Sequence, residues 1–388
     1  MPQFEPDNQD QHSQVQQDER TQDRIHTTYM PRLTGRGAAL NPTNRFESIS
    51  LTVLAEHAEE LMVEYPDGRL LPTQVFRDNS RTVINEVDSP DLPFRWTINP
   101  YRGCEHGCIY CYARPNHEYL SLSLGVDFET KIFAKFDAPA QVRRELMNPK
   151  WKGDRIVLSG ITDPYQPLER SLRITRSILE TFVEFHQPVS LITKNKLILR
   201  DIDLLEQLNR VGGVHCAISL TTLDPQLAAK MEPRASSPRA RLETIATLAK
   251  AGIPVSVMTA PIIPGINDHE IPALLKAASE AGARSARYVL LRLPYQIKDL
   301  FLEWLSRHYP QRAAKVESLL RDTRNGLLYN SEHFSRHKGE GPIAAQIGQT
   351  FTLFARKHNI DQPWERQSST SFRRPNSDTG QMCLFDTT

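Results

Sequence analysis

Cysteine, net charge and long apolar runs are all scarce in this chain of 388 residues. Five cysteines are too few, and too odd in number, for a disulfide scaffold. The 47 Lys and Arg nearly balance the 46 Asp and Glu, which argues against a protein that coats nucleic acid electrostatically but leaves room for a local basic groove. No stretch approaches the roughly 18 consecutive apolar residues of a membrane-spanning helix, so we expect no membrane partner.

Both ends of the chain are polar. Residues 1–30 include seven Gln and few large apolar side chains, so they cannot bury enough surface to offset the entropy of ordering. The first residues also lack the basic and apolar regions of a secretory signal, so we expect a cytoplasmic protein. These composition changes predict a disordered extension over 1–45, an accessory segment over 46–90, the core domain over 91–300, a helical segment over 301–360 and a disordered tail over 361–388.

The middle of the chain alternates β-branched runs with amphipathic helical stretches. The runs that predict strands lie at 95–101, 155–161, 188–194, 215–222, 253–260 and 286–294. Apolar residues at helical spacing lie between them, and Gly252 and Gly282 end the last two of these stretches. Repeated strand–helix units predict an α/β fold with a parallel sheet, either an incomplete barrel or a doubly wound sheet. In both arrangements ligands bind at the carboxyl ends of the strands.

Three of the five cysteines fall within eight residues, at Cys104, Cys108 and Cys111, directly after the first predicted strand. Thiolates on one short loop favour zinc or an iron–sulfur cluster. A closed zinc site needs four protein ligands, and His106 or His117 could supply the fourth. A cluster held by three cysteines would instead leave one iron open to an exogenous ligand. The spacing favours the cluster and leaves zinc as the alternative.

Tyr110 stands just before the last cysteine, and the segment INPYRGCEHGCIYCYAR resembles the signature of the radical S-adenosylmethionine (SAM) superfamily. The likeness is strongest to the spore photoproduct lyase-like branch, also described as DNA repair photolyase-like. It implies a partial (β/α)6 TIM-type barrel. It also implies a [4Fe–4S] cluster on Cys104, Cys108 and Cys111, with SAM bound at the fourth iron.

The resemblance implies a reaction as well. An electron donor such as flavodoxin or ferredoxin reduces the cluster, and SAM is cleaved to methionine and a 5′-deoxyadenosyl radical that abstracts hydrogen from a substrate. The family's aromatic residue near the adenine corresponds to Tyr110. The family's Gly-Gly-Glu-like stretch, which meets the methionyl amine, is replaced here by Gly160, Thr162 and Asp163 after the second predicted strand. A polar turn before the next helix is the alternative interpretation of these three residues.

Further polar residues follow the next predicted strands. Lys194 could reach the SAM carboxylate or the substrate, Ser219 suits the ribose hydroxyls, and Arg234 could form a bidentate pair with a carboxylate. Each has a structural alternative, as a turn or the edge of the core. Their occurrence at successive strand ends favours a binding site.

The sequence leaves the substrate and the catalytic hydrogen donor unassigned. The lyase of the named branch repairs a thymine dimer in DNA and uses a cysteine beyond the cluster as hydrogen donor. No cysteine occurs here between Cys111 and Cys216, and Cys216 starts the fourth predicted strand, at the end of the barrel away from ligands. We therefore expect a lyase-like enzyme, with a DNA lesion as one candidate substrate. The alternatives are radical modification of RNA or a peptide, and a non-catalytic zinc-binding module.

The polar tail ends in an apolar group of residues. Gln381, Leu384 and Phe385 resemble the bacterial sliding-clamp binding peptide, whose consensus is Gln-Leu-Ser/Asp-Leu-Phe. Such a peptide uses a polar anchor and a Leu-Phe pair that enters an apolar pocket. The tail therefore predicts the sliding clamp as a partner, and a cap on the chain's own core is the alternative.

Overall fold

The computed structural model describes residues 36–42, 44–46, 71–363 and 369–375. The disorder expected over residues 1–30 and the clamp-binding peptide at Gln381, Leu384 and Phe385 lie outside the described residues.

Strands of two sheets organise the described chain. The strands are β1 (Gln74–Arg77), β2 (Asn85–Glu86), β3 (Trp96–Ile98), β4 (Tyr101–Arg102), β5 (Lys131–Ala134), β6 (Ile156–Leu158), β7 (Val189–Thr193), β8 (Val214–Ser219), β9 (Val255–Ile262) and β10 (Ser285–Leu290). The larger sheet has the order β10-β9-β8-β7-β6-β3-β2. The smaller sheet has the order β1-β5-β4.

Helices follow most strands of the larger sheet. They are α1 (Val126–Thr130), α2 (Ala138–Met147), α3 (Glu169–Leu172), α4 (Ile174–Phe185), α5 (Ile202–Arg210), α6 (Pro225–Met231), α7 (Pro238–Lys250), α8 (Ile271–Glu280), α9 (Ile297–His308), α10 (Ala313–Asp322), α11 (Ser335–Lys338) and α12 (Gly341–Lys357). Short 3-10 helices cover Arg114–Leu120, Lys196–Asp201 and Asp268–Glu270.

The six strands β3, β6, β7, β8, β9 and β10 pair in parallel and in chain order. Each overlaps one of the six strands predicted from the sequence, so the α/β fold with a partial (β/α)6 barrel is confirmed. β2 adds an antiparallel strand beside β3. The carboxyl ends of the six parallel strands therefore lie at one edge, where the cysteine loop also begins.

The helices form where apolar residues recur at helical spacing. In α7, for example, Ile245 and Leu248 are fully buried, and the Ser237 hydroxyl accepts a hydrogen bond from the Ala240 N–H at the start of the helix. Gly252 follows this helix with φ +75°, and Gly282 follows α8 with φ +97°. Both glycines adopt the left-handed conformation that ends a helix, as the sequence predicts.

Cys216 lies near the amino end of β8, where it pairs in register with Leu191 and Val255. It is completely buried in the core between the sheet and the helices. This burial raises the pKa of its thiol to about 12. The position agrees with the expectation that Cys216 lies away from the ligand end of the barrel.

Parts of both predicted disordered ends pack onto the folded body. Ala38 and Leu40 are buried, although the sequence predicts disorder over residues 1–45. Near the other end, the Phe372 ring stacks on Phe185 with a centroid distance of 6.4 Å, although the sequence predicts disorder over 361–388. These contacts join residues far apart in the chain.

Among the described residues, none of the helices is both long enough and apolar enough to cross a membrane.

Candidate functional site

The cysteine loop, residues 103–112, leaves the carboxyl edge of the sheet after β4. Gly103 and Gly107 have φ angles of +80° and +65°, which glycine adopts without strain. A backbone hydrogen bond of 3.0 Å from the Cys104 N–H to the Phe128 carbonyl fixes one side of the loop. A second, of 3.1 Å, from the Ile109 N–H to the Met231 carbonyl fixes the other side.

The three predicted cluster ligands lie together in this loop. Cys104 and Cys108 are buried, and Cys111 is half-buried. Burial raises the pKa of the Cys108 thiol well above its usual range, with Lys194 acting in the opposite direction. Burial and the neighbouring Cys104 likewise raise the pKa of Cys111. Three thiolates would repel each other here, so the loop suits a bound cationic centre that stabilises them.

The donor set fits an iron–sulfur cluster in its chemistry, because three cysteines on one buried loop are the ligands such a cluster takes. Among residues of the described segments, no three His, Cys, Asp or Glu side chains are grouped so as to hold a single metal ion.

Tyr110 belongs to a buried network beside the loop. Its hydroxyl donates a hydrogen bond to the Glu232 carboxylate and lies 3.5 Å from the Thr221 hydroxyl. The Thr221 hydroxyl also donates to Glu232, at 2.6 Å, and Arg241 forms a buried ion pair with the same carboxylate. Burial raises the pKa of Glu232, but Arg241 and Lys194 outweigh it and lower the pKa to about 2. Glu232 is therefore ionised and fully engaged.

Lys194 faces both the cysteine loop and this network. Its Nζ atom lies 5.9 Å from the centroid of the Tyr110 ring. Burial lowers the pKa of Lys194, but the neighbouring Cys108 and Glu232 outweigh that effect and raise it. The Lys194 amine therefore lies close enough to interact electrostatically with Cys108, a cluster-ligand candidate.

Asp163 joins the ends of two strands to the cysteine loop. Its carboxylate accepts hydrogen bonds from the Thr193 hydroxyl at 2.7 Å and from the Lys194 N–H at 2.8 Å. The Nδ1 atom of His106 lies 3.4 Å from the same carboxylate. Burial opposes ionisation of both groups, but their mutual attraction lowers the pKa of Asp163 to about 2 and raises that of His106 to about 9. An ion pair thus anchors His106 between two of the cysteines.

Gly160 and Thr162 also face the cysteine loop. The Thr162 hydroxyl donates a 2.8 Å hydrogen bond to the Gly103 carbonyl. The Gly160 carbonyl accepts a 2.5 Å hydrogen bond from the hydroxyl of Tyr112, which follows the last cysteine. The turn after β6 therefore lies against the cysteine loop.

The remaining predicted residues are engaged by the chain's own groups. Arg234 forms an ion pair of 2.8 Å with Glu105, and its N–H donates to the His106 carbonyl. The Ser219 hydroxyl donates a long hydrogen bond of 3.4 Å to the Ala260 carbonyl, and the Ser219 carbonyl accepts one of 3.1 Å from Arg241. Arg234 thus borders the cysteine loop, whereas Ser219 borders the Glu232 network.

Sequence reasoning missed the Glu232–Arg241 pair. Glu232 lies two residues before Arg234, the one residue of this turn to which the sequence analysis assigns a role. A usable signal was present in α7, where Arg241 stands four residues before Ile245 on the apolar stripe. A charged residue on an apolar stripe needs a buried partner of opposite charge.

Comparison with known proteins identifies the family. The model of the radical SAM superfamily matches residues 98–278. An uncharacterized protein of Mycobacterium tuberculosis is 35% identical over 244 residues, which cover 62% of this chain and 72% of that relative. The chain belongs to the radical SAM superfamily. Members of this superfamily are enzymes, and the family implies SAM and an iron–sulfur cluster as cofactors.

Two more distant similarities complete the comparison. A structure of spore photoproduct lyase complexed with dinucleoside spore photoproduct has a TM-score of 0.52 and 16% identity, covering 73% of this chain and 79% of that one. At this identity the likeness shows a common fold. The radical SAM Nα-GlyT isomerase of Pseudomonas phage M6 is 26% identical over 259 residues, which cover 65% of this chain and 52% of the isomerase.

Proposed function

We propose that this radical SAM protein holds a [4Fe–4S] cluster on Cys104, Cys108 and Cys111 and abstracts hydrogen from a nucleic-acid substrate. The observation that carries the proposal is the set of three thiols on one buried loop, with the protonated Lys194 beside Cys108. When bound and reduced, the cluster supplies the electron that cleaves SAM to methionine and a 5′-deoxyadenosyl radical. The chain's own residues hold the reactants and exclude water.

In this proposal Lys194 pairs with the carboxylate of SAM, since it is the cation that faces the cysteine loop from the end of β7. The Tyr110 ring forms one wall of the SAM site, and Glu232 holds its hydroxyl in place. Glu232 is itself neutralised by Arg241, so it orients the ring without adding an unpaired charge.

The turn after β6 and the end of β8 would contact the rest of SAM. The proposal assigns the backbone of Gly160 and the side chains of Thr162 and Asp163 to the methionyl end. Ser219 contacts the ribose in this proposal. Arg234 supports the cysteine loop through its ion pair with Glu105. The carboxylate that Arg234 contacts is thus that of Glu105.

An exposed group of aromatic rings supports a nucleic-acid substrate. We call Phe46, Tyr119 and Tyr295, together with Arg45, the aromatic ridge. The three rings are 58%, 68% and 55% exposed. The Arg45 guanidinium lies 3.8 Å from the Tyr295 ring centroid and 4.5 Å from that of Phe46. The Phe46 and Tyr119 rings are tilted by 32° with centroids 5.2 Å apart.

The ridge lies at the carboxyl edge of the barrel. Tyr119 belongs to the 3-10 helix that follows the cysteine loop, and Tyr295 follows β10. Exposed rings interleaved with arginine provide stacking surfaces for unpaired bases. This local surface supplies affinity by stacking, which is compatible with a net charge of only +1.

The first experiment tests the cofactors. Protein reconstituted with iron and sulfide without oxygen, then reduced in the presence of SAM, is expected to form 5′-deoxyadenosine. Cys108→Ala should abolish the product and the iron–sulfur absorbance, whereas Cys216→Ala, which removes the buried thiol of β8, should keep both. A colourless protein with one zinc per chain and no 5′-deoxyadenosine would reject the proposal.

The second experiment tests the substrate class. Fluorescence anisotropy with a labelled single-stranded oligothymidylate is expected to show binding that weakens about 5- to 150-fold in each of Tyr119→Ala and Tyr295→Ala. Leu353→Ala, at an exposed leucine of α12, is the control and should bind as the parent protein does. Tighter binding of the matching RNA would move the proposal to RNA, and no binding of either would remove nucleic acid as the substrate class.

A further inference from the structure

The buried carboxylate of Glu129, in α1, gathers donors from two distant parts of the chain. The consecutive backbone N–H groups of Arg36, Gly37 and Ala38 donate to it, the last two at 3.0 Å. The guanidinium of Arg114 also donates to it and forms an ion pair with it. Glu129 and Arg114 are both 0% exposed, so neither can exchange these partners for water.

Arg114 carries this anchor to the cysteine loop. Its guanidinium donates two hydrogen bonds to the carbonyl of Cys108, at 3.0 and 2.9 Å. It also donates to the carbonyls of Leu124 and Gly125, at 3.1 and 2.9 Å. The position of the Cys108 backbone therefore depends on Arg114, and the position of Arg114 depends on Glu129.

Residues 36–38 also touch the loop directly. A Cβ atom at Gly37 would lie 2.0 Å from the Gly107 carbonyl oxygen, which is far inside van der Waals contact. A Cβ atom at Gly107 would lie 2.7 Å from the Cβ of Arg36. The two backbones approach so closely that neither position accepts a side chain, and the segment covers the loop between Cys104 and Cys108.

A second link holds the same segment from the other side. The Arg36 guanidinium donates to the Thr73 hydroxyl and lies 3.5 Å from the Glu105 carboxylate. Glu105 follows the first cysteine and also accepts hydrogen bonds from Thr73, at 2.5 Å, and from Arg234, at 2.8 Å. The segment is thus attached on both sides of the loop that it covers.

We infer that Glu129 is a positioning residue for the cysteine loop and that residues 36–38, docked on Glu129, form a cover that protects the bound cluster. This role goes beyond the proposed function, although the measurements of iron affinity and bleaching that test it rest on that proposal. Glu129 fixes the Cys108 backbone through Arg114, and the cover excludes solvent over Gly107. Partners of this kind behind metal ligands typically change metal affinity about 10- to 100-fold when removed.

The test compares Glu129→Gln with Glu145→Gln in the full-length chain. Glutamine keeps the size of the side chain, but its amide NH2 group cannot accept hydrogen bonds from the backbone N–H groups. Part of the docking of residues 36–38 is therefore lost. Glu145 is a matched control, because its carboxylate accepts hydrogen bonds from two consecutive N–H groups, of Val83 and Ile84, at 2.9 and 3.1 Å, with no link to a cysteine. We expect iron affinity to fall about 10- to 100-fold and bleaching in air to accelerate in Glu129→Gln alone.

Hydrogen exchange of the amides of residues 36–38 supplies a readout that does not depend on a cluster. These amides should exchange slowly in the parent protein and in Glu145→Gln, and rapidly in Glu129→Gln. If the parent protein held no cluster but these amides remained protected, the proposed function would fail while the docking on Glu129 would stand. Fast exchange of these amides in the parent protein would overturn the inference.

Gly37→Ala provides a second route if Glu129→Gln does not fold. It displaces the segment by steric contact with Gly107 and leaves Glu129 and Arg114 unchanged. It should reproduce the faster bleaching. Parent-like iron affinity and bleaching in either folded variant would overturn the protective role of the cover.

Discussion

The carboxylate of Glu232 and the guanidinium of Arg241 form an ion pair with both side chains at most 2% exposed. A buried pair is costly to break, because the remaining charge has no solvent to replace its partner. Arg241→Met should therefore lower the free energy of unfolding by about 3–5 kcal/mol. Urea denaturation measures the loss.

Arg239→Met is the matched control for that prediction. Arg239 also forms an ion pair, with Glu243 at 2.8 Å, but both side chains are largely exposed. Exposed pairs contribute little to stability, so the urea midpoint should stay close to that of the parent protein. Equal midpoints for the two variants would show that burial of Arg241 has no energetic consequence.

Lys194→Met should weaken SAM binding about 10- to 150-fold, since it removes a charge-assisted hydrogen bond in a partly desolvated site. Equilibrium dialysis of radiolabelled SAM against the reconstituted protein measures the affinity. Lys196→Met changes an exposed lysine two residues further along the chain and should bind SAM normally. Normal binding by Lys194→Met would remove Lys194 from the SAM site.

Stability should fall as the pH falls from 6.5 to about 4, in part through His215. Burial, with a smaller contribution from Arg155, lowers the pKa of His215 from its usual value of 6.5 to about 4. In this window the unfolded chain binds a proton that the folded chain rejects, so acid favours unfolding. The contribution of His215 is complete above pH 6.5 and amounts to about 3 kcal/mol.

His215→Gln tests this contribution, because glutamine does not titrate and can still bond to the Ser256 hydroxyl, which lies 2.7 Å from Nε2. Urea denaturation at a series of pH values should give a shallower dependence for the variant between pH 4 and 6.5. Parallel pH profiles for the two proteins would contradict the assigned pKa.

Deletion of residues 381–385 should abolish binding to the purified bacterial sliding clamp and leave SAM cleavage intact. The reason is that Gln381, Leu384 and Phe385 resemble the polar anchor and the apolar pair of a clamp-binding peptide. Surface plasmon resonance with immobilised clamp measures the interaction. Unchanged binding after the deletion, or no binding by the intact chain, would remove the clamp as a partner.

The barrel could be predicted from the sequence because its signals are local. Each parallel strand is a short apolar, β-branched run, and the helices between them carry apolar stripes that the sheet buries. The cysteine loop could be predicted for the same reason, since its three thiols and two glycines lie within nine residues. Positions of polar residues at strand ends followed from the rule that parallel strands present their carboxyl ends together.

Contacts between distant residues could not be predicted in this way. The Gly37 N–H and its acceptor Glu129 are 92 residues apart, and no local pattern in residues 36–42 indicates which residue accepts this hydrogen bond. The Tyr110 hydroxyl and Glu232 are 122 residues apart. Low hydrophobicity predicted disorder for the segment 36–42, but paired hydrogen bonds and a close glycine contact hold it in place.

The chain order of the strands has a consequence for biosynthesis. The cysteine loop leaves the ribosome before the strands that follow it, and Glu232 and Arg241 are added only after four of the six parallel strands have been made. At typical elongation rates this delay is on the order of ten seconds. During that time the three thiols are exposed to solvent without the residues that later bury them. We therefore expect cluster insertion to follow translation, and nascent chains to be the form most sensitive to oxidants.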